Sequence, residues 1–311
     1  MTSVSTENRG LHRFAVFTAC VTFLLIVAGG LVTGKEAGLS VPDWPLSYGS
    51  LMPPMVGNIR YEHTHRMIAA LVGVLTIILA VWLWQKEERK GVRLLGLGAL
   101  LAVITQGILG GITVIYLLPL PVSVGHACLA QVFFCMVVSL ALLTSPGWKT
   151  PPSGVEDSGS PRLQILCIAV PAAILFQLLL GATLRHSQGT VIPHLAGALL
   201  VSILVIWTSL RVFYKHPQQW NLVRLALLLV GLLFVQLLLG TGSYMIRLVT
   251  QDAPQPTLPL VALTTAHVAA GALILAISLA LAMEAFRTLA GRGESTPAGS
   301  ETLTSARPLP S

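Results

Sequence analysis

The sequence predicts an all-α polytopic membrane protein of eight transmembrane helices, arranged as two tandem four-helix bundles related by a pseudo-two-fold axis along the membrane normal. Three observations lead there. Of 311 residues, 54% are apolar and only 10% charged, against roughly 25% charged in an ordinary soluble domain, which excludes a water-soluble globule. The mean hydropathy is +0.79, and the apolar residues gather into eight runs, each long enough for a span of about 20 residues. The polar landmarks of the first four runs recur in the last four, the mark of a duplicated unit.

The first run, 14–34, is too long for a signal-peptide core and lacks a small-residue cleavage site, so it reads as a helix. Runs over 64–84, 92–115 and 122–144 complete an N-terminal half, 1–144. The stretch 145–162, SPGWKTPPSGVEDSGSPR, is rich in Pro, Gly and Ser and reads as a cytoplasmic linker. Runs over 163–184, 191–212, 222–246 and 259–284 form the C-terminal half, 163–287, and the polar segment 288–311 is expected to be a disordered cytoplasmic tail.

The formal charge of +7 would suggest a nucleic-acid partner in a soluble protein, but here it reads as orientation. With the N-terminus inside, only Lys35, Arg60, Arg66, Arg185 and Arg247 of the 19 basic residues fall outside. That asymmetry places both termini in the cytoplasm. No basic patch with interleaved aromatics points to nucleic acid, and neither a Walker A nor a dinucleotide fingerprint is present. Cys20, Cys128, Cys135 and Cys167 all fall within predicted helices and read as small apolar core residues. There is no CxxCH, so covalent c-type heme attachment is unsupported.

The repeat shows in polar residues. Gln106, Gln177 and Gln236 each begin Q-x-x-L-G in an odd-numbered helix. His65, His126, His194 and His267 each lie in the outer half of an even-numbered helix, with 129 positions between His65 and His194 and 141 between His126 and His267. The halves differ most in their first outer loop, since 35 positions separate Gly30 from His65 and only 13 separate Gly181 from His194.

A lone membrane histidine usually makes an interhelical hydrogen bond. Four at matching places suit another task, because two imidazoles from two helices hold an iron macrocycle axially while the apolar bundle solvates its ring. The pairing within each half is His65 with His126 and His194 with His267, although crossed pairs stay open at this stage. Zinc or copper fits less well, since such sites draw Cys or carboxylate ligands at short spacing. Gly110, Gly111, Gly125, Gly197, Gly240 and Gly271 would let helices approach or let a ring lie against backbone.

The halves are chemically unequal. Glu62 stands three residues before His65, one turn nearer the outside, where the second half has Val191. Glu62 could serve proton transfer, or simply pair with Arg66 at i+4. Arg66, Arg60, Arg185 and Arg247 lie at outer helix ends, where they suit heme propionates or snorkel to the interface. His12, His63, His186 and His216 lack matching partners and are expected to be solvated.

The first outer loop GGLVTGKEAGLSVPDWPLSYG, the EHTHR of the second helix, TQGILGGITV, VSVGHACLAQ, GATLRHS and PHLAGAL together resemble the heme A synthase family of cytochrome oxidase biogenesis, over essentially all eight helices. The resemblance implies an oxidoreductase that converts the ring D methyl of heme O to a formyl group by successive hydroxylations and dehydration, giving heme A. It implies that His65 and His126 are axial to substrate heme O in the N-terminal half, with Glu62 serving the oxidation, and that His194 and His267 ligate a heme b cofactor. Asp43 and Trp44 would cover the substrate. Implied partners are heme O synthase, cytochrome oxidase assembly factors, an electron donor that the sequence does not name, the lipid bilayer, and a second copy in a homo-oligomer. Many relatives carry a cysteine pair in an outer loop, and this sequence has none there. The absence of a transit peptide points to a bacterial plasma membrane in preference to the mitochondrial inner membrane. Two other classes compete: a bis-His di-heme electron-transfer protein and a heme carrier.

Overall fold

The computed structural model describes residues 4–148, 154–157, 159–187 and 189–290. Eight helices run α1 Val4–Gly34, α2 Ile59–Lys86, α3 Lys90–Ile115, α4 Leu120–Thr144, α5 Leu163–Ser187, α6 Ile192–Lys215, α7 Trp220–Val249 and α8 Leu258–Thr288. All eight are long and apolar enough to cross a membrane, and the chain is a multi-pass membrane protein. Each extends the corresponding apolar run by up to several residues, because polar ends continue the backbone hydrogen bonding into the interface. Proline sits in the first turn of α4, α6 and α8, where its missing N–H costs nothing.

Helices α1 to α4 pack in a ring, α1 against α2 and α4, and α3 against α2 and α4. Helices α5 to α8 do the same, and α1 and α4 meet α8 while α4 also meets α5 along a seam between the halves. Each half has its own apolar core, around Leu79, Leu83 and Leu140 in the first and Val205, Leu229 and Leu281 in the second. Ile26, Phe134, Ala272 and Ala276 fill the seam. The outward faces keep large apolar side chains such as Leu101, Leu199 and Phe234, as lipid contact requires.

At the end of the bundles that carries the end of α8, the segment between α4 and α5 is partly folded. Val155–Glu156 (β1) pairs in parallel with Leu289–Ala290 (β2), just after α8. Asp157 Oδ2 accepts the Leu163 amide at 2.7 Å, capping α5. Its Oδ1 lies 3.4 Å from His216 Nε2. His216 is therefore buried rather than solvated, because the linker folds back over the α6–α7 turn. The expected tail is ordered through residue 290, and 291–311 lie outside the described residues.

At the opposite end, residues 35–58 form a compact loop between α1 and α2. Asp43 accepts the amides of Tyr48 at 2.6 Å and Gly49 at 2.8 Å, fixing a tight turn in which both residues have positive φ. The Gly49 amide, with that of Tyr48, holds the Asp43 carboxyl below its ordinary range. The Asn58 amide donates to Lys35 O and ties the loop's ends together.

Candidate functional site

The four histidines all come from helices that stand diagonally in their bundles: α2 and α4 in the first, α6 and α8 in the second. His194 and His267 approach to 6.3 Å between ring centroids at an interplanar angle of 69°. His65 and His126 lie within electrostatic reach of each other. Among the described residues no group of three or more His, Cys, Asp or Glu is gathered at one point, so the donors come as pairs.

Each imidazole is seated on the odd-numbered helix that precedes its own. A Cβ on Gly29 would stand 3.2 Å from His65 Cε1, and one on Gly110 3.5 Å from His126 Cε1. In the second half a Cβ on Gly181 would stand 3.0 Å from His194 Cε1, and one on Gly240 2.9 Å from His267 Cε1. A Cβ would crowd the ring at Gly240 and Gly181 and press on it at Gly29, while at Gly110 it would make ordinary contact. One turn inward of each glycine, the carbonyls of Leu25, Gln106, Gln177 and Gln236 face the four rings in the same order. For His267 this is a hydrogen bond, Nδ1 to Gln236 O at 3.2 Å.

The glutamine side chains add a second tie. Gln106 Nε2 donates to His126 O at 2.8 Å, and Gln177 Nε2 to His194 O at 2.8 Å while standing 3.0 Å from His194 Nδ1. Gln236 Nε2 stands 3.3 Å from His267 Nε2. Gly197 and Gly271 leave space for the Gln177 and Gln236 side chains. Nδ1 of His65 and of His126 is buried without a hydrogen-bond partner.

Glu62 is 3% exposed. Its Oε2 accepts the Val41 amide at 2.9 Å and its Oε1 the Arg66 guanidinium at 2.6 Å. Arg66 also donates to Asp43 O at 2.7 Å, Leu46 O at 2.9 Å and Val41 O at 3.2 Å. The i+4 pair is thus present, and it doubles as the anchor that draws the outer loop over the end of α2. Trp44 from that loop lies flat on Gly111, where a Cβ would stand 2.8 Å from its ring, beside the Gly110 seat of His126. The loop does enter the first half.

Arg185, in the last turn of α5, donates to Thr33 O at the end of α1 (2.6 Å) and lies within electrostatic reach of Arg247 and Glu36. Arg60 stacks on the Tyr61 ring at 5.0 Å. His63 is a correction: it is 4% exposed, with Nδ1 2.9 Å from Ser47 Oγ, because the loop roofs the outer end of α2. His12 is tied to Ala141 O at 2.9 Å and His186 is half-buried, so neither is a freely solvated group. Of the four unpaired cysteines, Cys167 is buried, but Cys20 is exposed on α1, an apolar thiol that lipid accepts as readily as a core does. The seats Gly29 and Gly181 were not singled out from sequence. Alignment of Leu25-Ile-Val-Ala-Gly29 with the three Q-x-x-L-G segments would have found both.

A family model described as cytochrome oxidase assembly protein, COX15-CtaA, matches residues 12–60 and 58–193, a span that contains Glu62, His65 and His126. The Heme A synthase of Halalkalibacterium halodurans is 29% identical over 252 residues, covering 69% of this chain and 81% of its own. That of Alkalihalophilus pseudofirmus is 26% identical over 262 residues, covering 72% and 85%. That of an Exiguobacterium species is 24% identical over 260 residues, covering 77% and 84%. With well over half of its length matched, from α1 to the start of α6, the chain belongs to the COX15-CtaA family of cytochrome oxidase assembly proteins, the family of the heme A synthases.

Proposed function

We propose that this chain is a heme A synthase of a bacterial plasma membrane with both termini cytoplasmic, its N-terminal half binding heme O as substrate and its C-terminal half a heme b cofactor. The observation that carries the reading is the buried carboxylate of Glu62, one turn outward of His65, with valine in its place before His194. The donor chemistry fits: two separate imidazole pairs in apolar bundles, with backbone seats flat enough for the rings and buried Nδ1 atoms in the first pair. His65 and His126 would hold the iron of heme O, and His194 and His267 that of heme b. Bound there, heme b supplies a one-electron redox centre beside the substrate half.

Two hydroxylations would take the ring D methyl to the alcohol and then to the geminal diol, and loss of water would leave the formyl group; overall –CH3 + H2O gives –CHO + 4 H+ + 4 e−, the electrons passing to an oxidant from outside the chain. In this reaction Glu62 accepts and returns a proton at Oε1 or Oε2. Arg66 keeps it oriented, and Trp44 with the loop excludes water. Arg185 and Arg247, like charges within reach of each other, suit the propionates of the second half. Heme O synthase would deliver the substrate, and assembly factors would take the product.

The test is co-expression with a heme O synthase followed by pigment extraction. Glu62→Gln is expected to keep both hemes bound but to yield no formyl heme by mass or by pyridine hemochrome spectrum. Unchanged heme A yield from Glu62→Gln would refute the role given to Glu62; a wild-type chain that keeps both hemes bound but forms no formyl heme would favour an electron-transfer protein, and one releasing only unaltered heme would favour a carrier.

A further inference from the structure

Three of the four histidines are tied to the preceding helix by a glutamine side chain, and the fourth is not. Gln106 holds the His126 backbone, Gln177 both the backbone and ring of His194, and Gln236 the ring of His267. The equivalent position on α1, four residues before the Gly29 seat, is Leu25, whose side chain has no hydrogen-bonding group. Leu25 is part of the apolar packing of the first half, and although its carbonyl faces the His65 ring, Nδ1 of His65, like that of His126, is buried without a hydrogen-bond partner among the described residues. Within the substrate pair each ring faces a backbone carbonyl of the preceding helix, and the difference lies in the backbone of the histidine itself: Gln106 clamps the His126 carbonyl at 2.8 Å, while Leu25 has no side-chain group to do the same for His65.

We propose that Gln106, Gln177 and Gln236 are positioning residues that lock their histidines onto the neighbouring helix, and that His65 is the ligand free to leave the iron of the substrate heme. The inference rests on the reading of these histidines as heme ligands. It matches a division of labour: the cofactor half holds both rings by side-chain amides and keeps its ligands, whereas the substrate half must let heme enter, react and depart. Glu62 stands one turn away from His65 on the same helix, beside the position that His65 would vacate.

The experiment uses the full-length, heme-loaded protein reduced with dithionite and mixed with carbon monoxide, which binds only where an axial ligand has left. Two variants are compared with wild type. Leu25→Gln supplies the missing tie and is expected to slow carbon monoxide binding at the first-half heme by about three- to tenfold, the effect of one added hydrogen bond. Gln106→Leu removes the tie on His126 and is expected to open a second, faster binding phase at that same heme. Gln106→Asn, with a shorter amide, is expected to fall between Gln106→Leu and wild type. Gln177→Leu is expected to make the second heme reactive to carbon monoxide for the first time. Rates in Leu25→Gln and Gln106→Leu equal to wild type, with heme content unchanged, would overturn the proposal. So would second-half reactivity in the wild type that exceeds the first. A wild-type protein that binds no heme at all would instead overturn the functional reading on which this rests, so the two failures are told apart by heme content. If Leu25→Gln does not fold, the Gln106 and Gln177 variants decide the matter by themselves.

Discussion

Replacing Gly240 by alanine tests the seating of the imidazoles most directly. The added Cβ would stand 2.9 Å from His267 Cε1 and 3.3 Å from Nδ1. Carbon contacts settle near 3.5–4.0 Å, so the ring must retreat by roughly 0.6–1 Å. A functional constellation tolerates about 0.5 Å. Overpacking of this size costs about 1–3 kcal/mol, or about 5- to 150-fold in heme affinity for the second half. Gly231 on the same helix is the control, since a Cβ there meets nothing within 4 Å. Both substitutions bring the same gain in helix propensity, which cancels in the comparison. The assay is heme content of the purified protein together with the visible spectrum of each variant under graded heme supply. Gly240→Ala is expected to lose the second-half heme at low supply while Gly231→Ala retains it. Equal affinity and identical spectra for the two would refute the seat.

Arg66→Ala removes the Glu62 partner and three loop carbonyl contacts together. Breaking so buried a pair costs on the order of 3–5 kcal/mol, and limited proteolysis should then cut within 35–58, a loop expected to resist in the wild type. Arg66→Lys is expected to give partial protection, since an ammonium cannot reproduce the fork. The Asp43 turn should be insensitive to mild acid: its carboxyl is held below the ordinary value of 3.8, so the stabilisation is complete above that pH and lost as pH falls through the lowered value. Hydrogen exchange of the 40–55 segment, corrected for intrinsic rate, should be flat from pH 7 to pH 5 and rise only below about pH 4. Opening between pH 7 and pH 5 would contradict the assignment.

The spans were legible because apolar runs of this length leave the backbone one solution in lipid, and all eight became helices. The histidines and glutamines were legible as well, since polar residues are sparse enough in such helices for a repeat to stand out. The seat under His65 was hidden, because Leu25 replaces the glutamine that marks the other three. The loop was beyond reach for a different reason. Its shape depends on Arg66 gathering carbonyls 20 to 25 positions away, and local periodicity carries no trace of such contacts. His63 and His216 were misjudged on the same account, each being covered by a segment distant in the chain.

The seam has its own consequence. Gly30 and Gly34 of α1 bring its backbone against Thr265 and Val261 of α8, and Arg185 reaches across to the end of α1. Lipid tails would solvate the apolar part of those faces, and headgroup phosphates could take the guanidinium, but lipid does not reproduce the close packing that Gly30 and Gly34 allow against α8. An excised half should therefore seek another copy of itself, and separate expression of residues 1–144 and 163–290 should yield fragments that recover their proper partner when mixed. Neither fragment is expected to persist as a monomer in the bilayer.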